Sequence, residues 1–82
     1  MSTTPTHTLD ATGLLCPLPV LKARKRLKDI APGDTLEVLA DDPAAIVDMP
    51  HFCAEAGHRL LRSHETDGVQ SYLIEKGPKR DA

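Results

Sequence analysis

Tryptophan is absent from this 82-residue chain, and phenylalanine and tyrosine occur once each. Any core must therefore be aliphatic. Cysteine is scarce too, with Cys16 and Cys53 the only two. One widely spaced pair is a poor disulfide framework for a small secreted domain, so both are expected as reduced thiols in a cytoplasmic protein. No apolar run approaches the ~20 residues that cross a bilayer. The start, Met1-Ser2-Thr3-Thr4-Pro5-Thr6, lacks the basic and apolar regions of a signal peptide. Positive charge is not in excess: 10 Lys and Arg face 12 Asp and Glu, for a net charge of −2. That balance argues against general affinity for nucleic acid. No repeat, glycine-rich phosphate loop or Ser/His/Asp order stands out.

What remains is one small domain with a modest core, since 40% of residues are hydrophobic. At this size net stability is roughly 3–5 kcal/mol. Residues 7–76 are expected to form the domain, with polar, flexible tails at 1–6 and 77–82. A short strand is expected at 7–10, followed by a turn at Ala11-Thr12-Gly13. Val20, Ala23, Leu27 and Ile30 share one face of a helix over 17–29, widened by Leu21. Pro32-Gly33-Asp34 ends it. Residues 35–40 alternate as a strand, with Leu36, Val38 and Ala40 on one face and Glu37 on the other. Asp41-Asp42-Pro43 reads as an Asp cap followed by Pro at the first helical position. Pro50 should kink the helical region 43–56 or split it, with Asp48 capping the second piece. Gly57 is the stop. Strands at 58–65 and 70–76 join through Thr66-Asp67-Gly68, a hairpin signal. The order βαβαββ predicts a two-layer α/β sandwich of the α+β class, with two helices on one face of a four-stranded mixed sheet.

The residue types that carry chemistry concentrate around Gly13-Leu14-Leu15-Cys16-Pro17-Leu18-Pro19-Val20. Proline is tolerated in the first turn of a helix, so Pro17 and Pro19 set the helix start just after Cys16. The positive helix end should then favour thiolate over thiol, aided by remaining donors such as the Leu18 N–H. Three readings of Cys16 compete on local grounds. It is a buried small hydrophobe, one half of a redox pair whose other half would be Cys53, or a nucleophilic or carrier thiol. Cys-Pro-Leu-Pro lacks the second cysteine of Cys-x-x-Cys.

Lys22, Arg24, Lys25, Arg26 and Lys28 cover the outer face of the same helix. Such a face is usually just solvated. The functional alternative is a positive surface that docks acidic partner proteins, with Lys22 and Arg26 its test residues. His51, Cys53, Glu55 and His58 suggest metal, but their spacing fits no standard zinc pattern. Phe52, Cys53 and Ala56 suit a helix face packed on the sheet. No metal or cofactor is therefore expected.

In combination these segments resemble the TusA (SirA-like) sulfur-carrier family. The resemblance rests on Leu9-Asp10-Ala11, Gly13-Leu14 and Cys16-Pro17-Leu18-Pro19-Val20. It continues through Asp41-Asp42-Pro43, Asp48-Met49-Pro50-His51-Phe52-Cys53, Gly57-His58 and Asp67-Gly68. It implies a persulfide on Cys16, with Gly13, Pro17 and Pro19 as the supporting motif. It also implies sulfane sulfur accepted from a cysteine desulfurase or rhodanese-like donor. The sulfur would be passed to an acceptor protein, toward tRNA 2-thiouridine or within sulfur oxidation. "Enzyme" then applies only loosely, to a sulfurtransferase-type carrier. Leu15 departs from the family, where many relatives carry a basic residue, so the helix end is the main expected activator. No membrane or direct nucleic-acid partner is expected, and nothing demands more than a monomer. The rivals are a thiol redox protein and a non-catalytic regulatory or interaction module.

Overall fold

The computed structural model describes residues 5–78. The elements follow in the order β1 (His7–Asp10), α1 (Leu18–Lys28), β2 (Thr35–Ala40), α2 (Ala45–Ala56), β3 (Arg59–Thr66) and β4 (Val69–Glu75). The sheet runs β1-β2-β4-β3. β1 pairs parallel to β2, and the β2–β4 and β4–β3 pairs are antiparallel. This is the mixed four-stranded sheet and βαβαββ order that the sequence predicts. β3 and β4 each sit one residue away from their expected bounds. The hairpin turns through Asp67 (φ 52°) and Gly68 (φ 81°), both in the left-handed region a two-residue turn requires.

The core lies between the helices and one face of the sheet. Leu27, Leu36, Val38, Met49 and Ile74 are fully buried there. Removing each such side chain from water stabilises the fold by roughly 1.5–3 kcal/mol. In α1 the inward stripe is Pro19, Ala23 and Leu27, followed by Ile30. Val20 lies at its edge. Leu21, expected to widen the stripe, is 49% exposed. Two residues beyond Pro19 it is turned about 200° around the helix, away from the sheet. The far end of α1 is held by Lys76, whose ammonium donates to the carbonyls of Leu27 and Ile30.

The second helical region departs most from expectation. α2 begins at Ala45, after a turn, with Ala44 rather than an aspartate at its cap. Asp42 instead accepts the Ala44 N–H within that turn, at 3.3 Å. Pro50 lies inside one continuous helix and does not split it. Proline removes the bond its N–H would make to the carbonyl of Ile46, and its ring crowds that same carbonyl. Pro50 and Ile46 are both exposed, so that bond is lost on the solvent side. Asp48 therefore caps nothing and stands in the first turn of the helix. Gly57 closes α2 as expected, with its N–H on the Cys53 carbonyl.

The domain's edges include residues outside 7–76. The Thr6 hydroxyl donates to the Thr35 carbonyl at 2.7 Å, and the buried Gly77 gives its N–H to His58 Nδ1 at 3.0 Å. Residues 1–4 and 79–82 of the expected tails lie outside the described residues. No helix among the described residues is long and apolar enough to cross a membrane.

Candidate functional site

Cys16 is exposed and free, one residue before the Pro17 cap of α1. The segment leading to it is pinned by aspartates at the end of β1 and just after the neighbouring β2. Asp10 at the end of β1 accepts from the N–H and hydroxyl of Thr12 at 3.0 and 2.6 Å, which turns the chain and holds the Asp10 carboxyl below its ordinary pKa. Gly13 then adopts φ +80°, a conformation that a side chain strains. Its N–H donates to both carboxylate oxygens of Asp41, at 3.0 and 3.2 Å. The Cys16 N–H donates to Asp42 Oδ2 at 2.5 Å. The adjacent aspartates that follow β2 thus anchor the approach to the thiol.

Asp42 is itself anchored from the sheet. The buried Gln70 side chain donates to the Asp42 carbonyl at 3.0 Å, and the Tyr72 hydroxyl donates to Gln70 Oε1 at 2.6 Å. Burial holds the Tyr72 phenol above its ordinary pKa, with the charge of Glu65 adding to the effect. Every polar group in this chain of contacts has a partner, which makes a buried network rigid rather than costly. The sequence reading missed Gln70 and Tyr72. A glutamine beside the apolar Tyr72-Leu73-Ile74 run of β4 was the one available signal.

The thiol's own partner is Asp48, expected only as a cap. Cys16 Sγ donates to Asp48 Oδ2 at 3.0 Å. Asp42 and Asp48 line a shallow depression with Cys16, Pro17, Pro19, Val20 and Ala45. This arrangement reverses the expected electrostatics. The thiol is held above its ordinary pKa, first by the hydrogen bond to Asp48, then by partial desolvation and by the negative charges of Asp48 and Asp42. The residues Pro17, Leu18 and Pro19 give the sulfur no backbone donor. Pro17 and Pro19 have no N–H, and the Leu18 N–H expected to reach the sulfur is spent on the Leu15 carbonyl at 2.8 Å. Cys16 stands at a helix start whose Leu18 N–H does not reach its sulfur.

Cys53 lies on the inner face of α2, 2% exposed among core residues. Burial pushes its thiol up to about 11. The other groups of its segment diverge. His51 and Glu55 form an exposed i,i+4 pair at 3.6 Å. His58 packs against Phe52 with ring centroids 5.7 Å apart, and its Nδ1 is taken by Gly77. Among the described residues no group of three or more His, Cys, Asp or Glu could hold a metal ion. Lys22 is exposed and Arg26 half-buried, both outside the residues lining the depression. The basic side chain with a defined aromatic contact is Arg24, 5.4 Å above the Phe52 ring.

The chain is thus a two-layer α/β sandwich that buries one cysteine and leaves the other exposed just before a helix start. The chain belongs to the TusA sulfurtransferase family, whose sequence profile matches residues 7–76. Its fold is similar to the crystal structure of the SirA-like protein from Desulfitobacterium hafniense, with a TM-score of 0.78 and 28% identity. That match covers 89% of this chain and 100% of the other. Membership assigns it, in general terms, to the sulfur carriers that work between donor and acceptor proteins.

Proposed function

We propose that Cys16 carries sulfane sulfur as a persulfide between a donor protein and an acceptor protein. In loading, the Cys16 sulfur bonds to the terminal sulfur of a donor persulfide. The donor S–S bond breaks, and the donor sulfur leaves as a thiolate that takes up the proton Cys16 gives up. Release repeats the exchange with an acceptor thiol. One sulfur atom moves between thiols without net oxidation, so no cofactor takes part. The observation that carries this reading is the exposure of Cys16 within the family-matched segment, opposite the burial of Cys53.

The donor is of cysteine desulfurase or rhodanese type. The acceptor lies on a route to tRNA 2-thiouridine or within sulfur oxidation, and the chain acts as a cytoplasmic monomer. Gly13, Pro17 and Pro19 shape the presentation of the thiol. Exposed apolar side chains flank that segment and begin α2, namely Leu15, Leu18, Ile46 and Val47. They suit protein docking, with Lys22 and Arg26 as the charged part of the contact. Charge reversal at Lys22 and Arg26 should slow transfer most at low ionic strength. A redox cycle with Cys53 is disfavoured by its burial. The test is transfer of labelled sulfur from a desulfurase or rhodanese to wild type and Cys16→Ser. Label on wild type alone supports the reading, and equal labelling of both rejects it.

A further inference from the structure

We propose that Asp48 is a latch on the Cys16 sulfur, a positioning residue that holds the thiol protonated and restrains both uptake and release of sulfur in the isolated chain. This inference rests on the carrier reading of Cys16. Its geometry is a direct Sγ to Oδ2 hydrogen bond of 3.0 Å between residues that line one depression. The titratable groups that face the thiol are Asp48 from α2 and Asp42 from its lead-in, with Asp41 alongside on Gly13. The first turn of α1 supplies no acid, and the rest of the lining is Pro17, Pro19, Val20 and Ala45. No cation lines the depression to offset the carboxylates. The restraint is therefore uncompensated within the described residues.

The kinetic consequence follows from thiol exchange. A thiol attacks through its thiolate fraction, and a thiol of higher pKa is a poorer leaving group. A carboxylate beside Sγ thus slows loading, because less thiolate is present. It also slows release. There an acceptor thiolate bonds to the terminal sulfur of the Cys16 persulfide and the S–S bond breaks. The Cys16 sulfur departs with the electron pair beside a negative charge, then takes a proton from water. A carrier so latched keeps its cargo from small thiols that it meets by chance. The upward displacement of the Cys16 pKa, with the Asp48 hydrogen bond its largest cause, agrees with this geometry.

The test uses the full chain, Asp48→Asn and Asp48→Glu. Two rates are read: iodoacetamide alkylation of Cys16 against pH, and loss of sulfur from the Cys16 persulfide to dithiothreitol at pH 7. Asp48→Asn should displace the alkylation profile to lower pH and raise both rates at least about threefold at pH 7. Asp48→Glu should restore part of the restraint. A profile that stays put or moves up in Asp48→Asn overturns the latch. Should that variant fail to fold, the wild-type profile decides: a midpoint above the ordinary ~8.5 supports the latch, and one at or below it overturns the latch. Faster alkylation of Asp48→Asn in chains that take up no sulfur from a persulfide donor would uphold the latch and remove the carrier reading. Sulfur uptake on Cys16 with no gain in either rate would do the reverse.

Discussion

The two cysteines of this chain sit beside helices of the same sandwich and meet opposite surroundings. Cys53 faces inward from α2, 2% exposed, and burial alone raises its pKa. Cys16 stands on the rim before α1, exposed, and its pKa is raised chiefly by a hydrogen bond to one carboxylate. Both are therefore protonated thiols at neutral pH, for different reasons. The reason at Cys53 cannot be lifted without opening the core. At Cys16 it rests on Asp48, a half-buried side chain at the surface of the depression. A raised pKa marks one thiol as core and the other as restrained, and only accessibility tells them apart.

The sharpest test of that contrast is alkylation of the native chain at neutral pH. Cys16 should react on the order of a thousandfold faster than Cys53, whose exposure requires opening of a domain with roughly 3–5 kcal/mol of net stability. In denaturant the two rates should converge. Comparable native rates would place Cys53 outside the core.

Met49 shares the inner face of α2 with Cys53 and is fully buried. Met49→Ala should cost about 2–5 kcal/mol by leaving a cavity. That is most of the stability such a domain has, and Cys53 alkylation should accelerate far more than Cys16 alkylation. Gln70→Ala acts nearer the rim. It deprives the Tyr72 hydroxyl of its acceptor and leaves the Asp42 carbonyl with the Ala45 N–H alone, so denaturation should show a loss of about 1–3 kcal/mol.

The smallest expected effect lies in pH. Burial, aided by the charge of Lys76, holds the His58 pKa below its ordinary 6.5. Between that lowered value and 6.5 the unfolded chain binds more protons than the native one, so stability falls as pH falls through this window. The thermal midpoint should drop on acidification through it, and His58→Gln should drop less. An equal drop in both would remove His58 from the account. The linkage belongs to the end of α2 that carries Cys53, so the Cys16 rim should be indifferent to it.

The contrast between the cysteines also marks what could be read before the fold was known. Cys53 was legible because Phe52, Cys53 and Ala56 share a helical face, and periodicity reports local burial. The start of α1 was legible from Pro17 and Pro19, whose rings permit few backbone states. The strands were legible from alternation and from the Asp67-Gly68 turn. Asp48 was not, because its contact with Cys16 depends on how the beginnings of two helices meet side by side on the sheet. Pro50 added to the error by suggesting a break that would have made Asp48 a cap. The support from Gln70 and Tyr72 was hidden for the same reason. It joins β4 to the lead-in of α2, a contact fixed only by the sheet order β1-β2-β4-β3.

The central claim is that sulfur resides on Cys16. Incubating the native chain with a persulfide donor and mapping the modified peptides by mass spectrometry tests it most directly. A mass gain of one sulfur atom on the peptide containing Cys16, with Cys53 unmodified, is the predicted result. Loss of two hydrogens with a Cys16–Cys53 crosslink, or sulfur on neither peptide, would contradict it.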